Sequence, residues 1–121
     1  MNMDFDEYQE LAARTAGTHF THNEALCNWA MGMCGEAGEF SEIIKKHVFH
    51  GKPLDLDAAR KEIGDSLWYC AMAAKALGLS LDDVAWMNIE KLRKRYPDKF
   101  TLGGGIRETP LTPSPDSRTI S

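Results

Sequence analysis

Two acidic pairs carry the chemistry this chain can offer. Glu36-Ala-Gly-Glu39 and Glu62-Ile-Gly-Asp65 each set two carboxylates three residues apart. On a helix that spacing projects both groups from one face, so each pair forms a two-carboxylate claw. Like charges at this separation destabilise an isolated helix by roughly 0.2–0.5 kcal/mol, and two such pairs in otherwise apolar segments predict something cationic between them. Donors that are all oxygen suit a hard divalent ion, Mg²⁺ with Mn²⁺ as a possible substitute; Mg²⁺ keeps part of its water shell and commonly bridges carboxylates to phosphate. Glu42, one further step of three beyond Glu39, is either a fifth ligand or a solvated acid. A diiron site would use Glu-x-x-His, and no Glu here has His three residues later. The alternative for any one of these acids is an exposed position on a solvated face.

Helices have to position these groups. The first is expected over Asp4 to Thr15, with Phe5, Tyr8, Leu11 and Ala12 at helical spacing and acids in the first turn. After a break at Gly17 to Thr21, Asn23 is the expected cap of a long second helix, whose stripe is Leu26, Trp29, Ala30, Met33, Ala37, Phe40 and Ile44. Gly32, Gly35 and Gly38 interrupt it at roughly 1 kcal/mol each relative to Ala. The unbroken stripe favours a continuous helix in which small residues let a neighbour approach closely. The turn is His50-Gly51-Lys52-Pro53. Asp55 or Asp57 then caps a third helix that runs to Leu77 and stops at Gly78. Ile63, Leu67, Cys70, Ala74 and Leu77 form one apolar line on it, while Glu62 and Asp65 share another with Tyr69, Met72 and Ala76. Ser80-Leu-Asp-Asp83 opens a fourth helix that ends before Pro97. No strand signal, repeat or phosphate-cradling glycine loop is present. The expected fold is all-α, a four-helix antiparallel bundle over residues 1–100, followed by a flexible Gly/Pro/Ser/Thr-rich tail over 101–121.

The order Glu-x-x-Glu, 22 intervening residues, then Glu-x-x-Asp resembles the signature of the all-α, MazG-like nucleoside triphosphate pyrophosphohydrolases. The resemblance extends to Trp29, Tyr69 and the stretch Asn88-Ile-Glu-Lys-Leu-Arg-Lys-Arg-Tyr-Pro97, and covers roughly the first hundred residues. It implies hydrolysis of a nucleoside triphosphate, a deoxynucleotide or non-standard one, to the monophosphate and pyrophosphate. It further implies Mg²⁺ held by Glu36, Glu39, Glu62 and Asp65, and assembly as homodimers or dimers of dimers. Glu39, mid-cluster, is the candidate general base, the alternative being a metal-bound hydroxide that needs no separate base.

Candidate contacts to such a substrate follow from position. Asn88, Lys91 and Arg95 succeed one another at i, i+3 and i+7, where they would meet phosphates or merely complement a helix C-terminus. Lys91 sits where the resemblance places a phosphate contact. Trp29, two turns before Glu36, would stack on a base or belong to the core, and Asn28 beside it would supply hydrogen bonds to a base edge. Tyr69, one turn past Asp65, is placed to reach a sugar or phosphate oxygen. A non-catalytic helical docking module, and a hydrolase of an alarmone or modified nucleotide, are the competing readings.

The rest of the composition is ordinary. With 121 residues, 43% apolar and 26% charged, the chain suits one domain, and a net charge of −4 argues against a general nucleic-acid surface. No apolar run approaches the roughly 20 residues that span a bilayer, and no signal peptide begins the chain, so the expected location is the cytoplasm. Cys27, Cys34 and Cys70 form no C-x-x-C and are expected as reduced core thiols. His19-x-x-His22 and His47-x-x-His50 lack the companion soft ligands of a zinc site.

Overall fold

The computed structural model describes residues 2–101, all but the first residue of the expected tail lying outside that range. It contains four α-helices, α1 (Phe5–Ala13), α2 (His22–Phe49), α3 (Leu56–Ala76) and α4 (Leu81–Arg95), then a 3₁₀ turn, Pro97–Lys99. No strand occurs among the described residues, in keeping with the all-α expectation.

The chain divides into two units between Ala85 and Trp86, inside α4. In the first, α2 packs along α3 and α1 packs on α3. Trp29 meets Trp68 and Tyr69, whereas Glu36, one stage later on α2, meets the earlier Glu62 and Asp65 on α3; α2 and α3 are therefore antiparallel. Three helices of the expected bundle are thus packed together in this unit. The second unit holds α4 from Trp86 onward, where Arg93 stacks over the Phe100 ring at 5.6 Å and lies 3.8 Å from Glu90.

Local chemistry sets the helix ends. Asp4 caps α1 by accepting from the Glu7 N–H at 2.7 Å. The cap of α2 is Thr21 and not the expected Asn23: Thr21 accepts from the Glu24 N–H, and Glu24 reaches back to the Thr21 N–H at 2.9 Å, a reciprocal pair that Thr-His-Asn-Glu encodes and Asn23 cannot form. Asp55 caps α3. At its far end Gly78 adopts φ +75°, while the N–H groups of Leu79 and Gly78 donate to the carbonyls of Ala74 and Lys75, closing the helix with the left-handed turn that glycine favours. A polar clasp then joins the starts of α1 and α4. The Asp6 carboxylate accepts from Ser80 Oγ and the Asp82 N–H, and Asp82 accepts from the Phe5 N–H. Gln9 donates to the carbonyls of Ala71 and Leu79 and accepts from the Leu81 N–H.

The core is small and rich in alanine. Ala12, Trp29, Ala71, Met72, Ala74 and Leu81 form it, with Tyr8, Phe20, Trp68 and Tyr69 packed around. Met72, 2% exposed, contributes the roughly 1.5–3 kcal/mol of a fully buried apolar side chain. Much of the predicted apolar surface lies outside this core. Along the α2 stripe only Trp29 is buried, while Ala30, Met33 and Ala37 are exposed. On α3, Ala74 is buried but Ile63 and Leu77 are exposed. Met31 and Phe49 stand 72% and 78% exposed. The cysteine expectation is also corrected. Cys27 and Cys34 are exposed and Cys70 is half-buried, all three free, because Cys27 and Cys34 each fall two residues, about 200° of helix, from Trp29 and Glu36, which face α3. Among the described residues no helix is long and apolar enough to cross a membrane.

Candidate metal centre and its aromatic wall

The antiparallel pairing of α2 and α3 brings the two predicted claws together. One carboxylate oxygen each from Glu36, Glu62 and Asp65 lies within 4.8 Å of the others. Glu36 and Glu62 are half-buried and Asp65 is exposed. Ser66 Oγ donates to the Glu62 carbonyl, so this hydroxyl supports the helix backbone. Glu39 is exposed and stands outside that group of three, but its carboxyl faces Glu62.

The acids perturb one another. The closely apposed Glu62 carboxyl, reinforced by its charge, holds Glu39 above its ordinary value of 4.5. The neighbouring Glu36 carboxyl, followed by partial burial, raises Glu62 above the same value. Such mutual elevation is what carboxylates crowded without a counter-charge do. The ion pairs formed by acids among the described residues involve Glu42, Asp57 and Glu90, none of them in the cluster. Glu42 sits 3.8 Å from Lys45, on the solvated side.

These residues fit a hard cation. Glu36 Oε2 and Glu62 Oε2 are both buried and have no hydrogen-bond donor, a state that an ion supplying positive charge would relieve. The set is entirely carboxylate oxygen, the chemistry of Mg²⁺, Mn²⁺ or Ca²⁺ and not of zinc or copper.

Beside the acids lies an open cleft of about 290 Å³ lined by Glu36, Asp65, Trp68 and Tyr69. Gly32 lets Tyr69 reach it: a Cβ on Gly32 would fall within the Tyr69 ring. Of the three α2 glycines, this one serves close approach, while Gly35 and Gly38 have nothing within 4 Å of a built Cβ. Trp29 is 7% exposed, its ring edge-on to Phe20 at 6.0 Å and to Trp68 at 5.3 Å; it is a core residue. Asn28 is exposed on α2, and Asn88, Lys91 and Arg95 are exposed on the second unit.

Trp68 was missed among the candidates and lines the cleft. The signal was available: it falls three residues after Asp65, on the acid-bearing side of α3. Tyr8 was missed too. Burial, followed by the nearby Asp65 charge, raises its phenol above 10.0, and only the packing of α1 on α3 brings it there.

An all-α scaffold whose facing helices converge carboxylates for a hard cation, next to an aromatic cleft, defines the class of protein. Residues 24–100, which include every one of these acids, match the MazG nucleotide pyrophosphohydrolase domain, and the chain belongs to that family. It is similar to the Gene 37 protein of Mycobacterium phage L5, with 32% identity over 111 residues that span 85% of this chain and 97% of the phage protein. No solved structure matches the chain. Family membership suggests a nucleotide pyrophosphohydrolase acting on a small nucleotide.

Proposed function

We propose that this protein hydrolyses a nucleoside triphosphate, a deoxynucleotide or a non-standard one, between the α- and β-phosphates, releasing the monophosphate and pyrophosphate. The observation that carries the reading is the convergence of Glu36, Glu62 and Asp65 within 4.8 Å, with two buried carboxylate oxygens lacking any donor. Glu36, Glu39, Glu62 and Asp65 would hold Mg²⁺, with Mn²⁺ as a substitute. When bound, the cation would polarise the phosphoryl oxygens and offset charge that grows in the transition state.

The chain's own groups take the remaining roles. Glu39, placed beside Glu62 at the edge of the acid group, accepts the proton of the attacking water. Tyr69 borders the cleft, where its hydroxyl serves a sugar or phosphate oxygen. Lys91, Arg95 and Asn88 are proposed as phosphate contacts on their residue types and their order along α4, and Asn28 as a contact to the base edge. Trp29, built into the core, acts by supporting the aromatic wall. Exposed Met31, Val48, Phe49 and Ile63 support assembly as a homodimer or homotetramer. A small nucleotide as substrate supports a cytoplasmic location.

The test is a panel of nucleoside triphosphates with Mg²⁺ and chromatographic identification of products. Monophosphate and pyrophosphate are expected, and Glu62→Gln or Asp65→Asn should lower turnover on the order of 100-fold. Orthophosphate as first product, or undiminished turnover in both variants, overturns the reading. Metal binding without turnover of any nucleotide would assign the acids to a docking surface.

A further inference from the structure

We infer that Trp68 is the platform on which the nucleoside part of the substrate stacks, and that Thr15 is the residue that aims it. The inference rests on the nucleotide reading above and adds to it the residue that senses the base. Three observations converge. The indole lines the cleft together with Glu36 and Asp65, so a ligand whose phosphates are drawn to the carboxylate centre has this ring as its neighbour. Its orientation is locked from three directions. Nε1 donates to Thr15 Oγ1 at 2.9 Å, Trp29 lies edge-on at 5.3 Å and 82°, and Tyr69 lies edge-on at 5.0 Å and 87°. The polar handle is itself anchored, since Thr15 Oγ1 donates to the Ala12 carbonyl at 2.7 Å, at the end of α1.

A tryptophan with its N–H hydrogen-bonded and two aromatic rings packed perpendicular to it has little rotamer freedom left to lose when a flat ligand arrives. Trp68 is half-buried and lines the cleft, which leaves it within reach of a ligand there, whereas Trp29 is only 7% exposed and belongs to the core. Stacking accepts any base because every base has a π-face. Trp68 therefore supplies affinity for the nucleoside, while discrimination among bases falls to polar groups around it. Thr15 is a positioning residue, since it acts only through the indole.

The experiment compares Trp68→Phe, Trp68→Leu and Thr15→Val with the full-length parent, each first checked for an unchanged melting profile. Steady-state kinetics use the best nucleoside triphosphate of the panel and inorganic triphosphate, which carries the phosphates without a base, the latter as a competitive inhibitor in Mg²⁺. Trp68→Leu keeps apolar bulk but loses the aromatic face, and should raise KM for the nucleotide about 10-fold with kcat within about 3-fold. Trp68→Phe should restore most of that affinity. Thr15→Val should raise KM about 3-fold, as expected for a loosened but present ring. Inhibition by inorganic triphosphate should be the same in all four proteins. Equal nucleotide KM in Trp68→Leu and the parent overturns the inference while leaving the hydrolase reading intact. Weakening of inorganic triphosphate in parallel with the nucleotide also overturns it, because the substitution would then act on the metal centre. A parent protein that neither binds nor cleaves any nucleotide overturns both.

Discussion

Substituting the three α2 glycines one at a time separates close helix packing from mere tolerance of glycine. Alanine gains roughly 1 kcal/mol over glycine at any interior helix position. At Gly35 and Gly38 nothing lies within 4 Å of the added Cβ, so Gly35→Ala and Gly38→Ala should each stabilise by up to about 1 kcal/mol. At Gly32 the same Cβ falls on Cδ1, Cε1 and Cζ of Tyr69. Tyr69 is wedged against Trp29 at 6.2 Å and Trp68 at 5.0 Å and cannot retreat without disturbing both. Overpacking of this kind costs about 1–3 kcal/mol, which leaves Gly32→Ala about 0–2 kcal/mol less stable than the parent after the propensity gain. The difference between Gly32→Ala and Gly35→Ala cancels propensity and isolates the clash. At about 4–8 °C per kcal/mol for a domain of this size, it should appear as a gap of roughly 5–20 °C in Tm by calorimetry or circular dichroism. Urea midpoints with unchanged slopes would confirm that the native state is the one affected. Equal melting of the two variants would show that the Tyr69 ring swings freely from the α2–α3 seam. Destabilisation at Gly35 and Gly38 would show that another surface packs on that face.

Three further outcomes follow from the same structure. Mg²⁺ at a hundredfold excess over its Kd should stabilise the fold by about 2.7 kcal/mol, and Glu62→Gln or Asp65→Asn should remove the shift in a melting titration. In chelator, the raised carboxyls of Glu39 and Glu62 contribute stability that is full below their ordinary 4.5 and lost as pH rises through their elevated values; the parent should therefore lose Tm on going from about pH 4.5 to 7 relative to a Glu39→Gln, Glu62→Gln double variant, and a parallel profile would refute the crowding. Asp6 has the opposite sign. Hydrogen bonds from the Asp82 N–H and Ser80 Oγ lower it below 3.8, so its contribution is present above that value and lost as pH falls through the depressed one; Asp6→Asn should flatten the acid limb of the melting curve below about pH 4.

How much of this was legible in the chain can be read from particular residues. Glu36, Glu62 and Asp65 were found from spacing alone, since i, i+3 acids share a helix face whatever the helix later packs against. Gly78 was legible as a helix end for the same local reason, and Asp55 as one of two candidate caps beside Asp57. Thr21 was passed over for Asn23 although its partner Glu24 stood three residues on. Trp29 and Trp68 present the harder case. Both are aromatic and both lie on faces near acids, and periodicity cannot say which one a neighbouring helix will cover.

Short-range stereochemistry determined the all-α class, the caps, the turns at Gly51 and Gly78 and the pairing of acids within each helix, because those depend on residues a few positions apart. Which acids meet across helices depended on the offset of α2 against α3, an offset at which Tyr69 seats over Gly32. The same offset put Trp29 in the core and Trp68 beside the cleft, left Cys27 and Cys34 outside, and drew Glu36 together with Glu62 and Asp65 while Glu39 stayed at the rim. Such outcomes belong to the tertiary structure because burial is a property of what faces a residue, and no residue carries its partner's position in its own spacing.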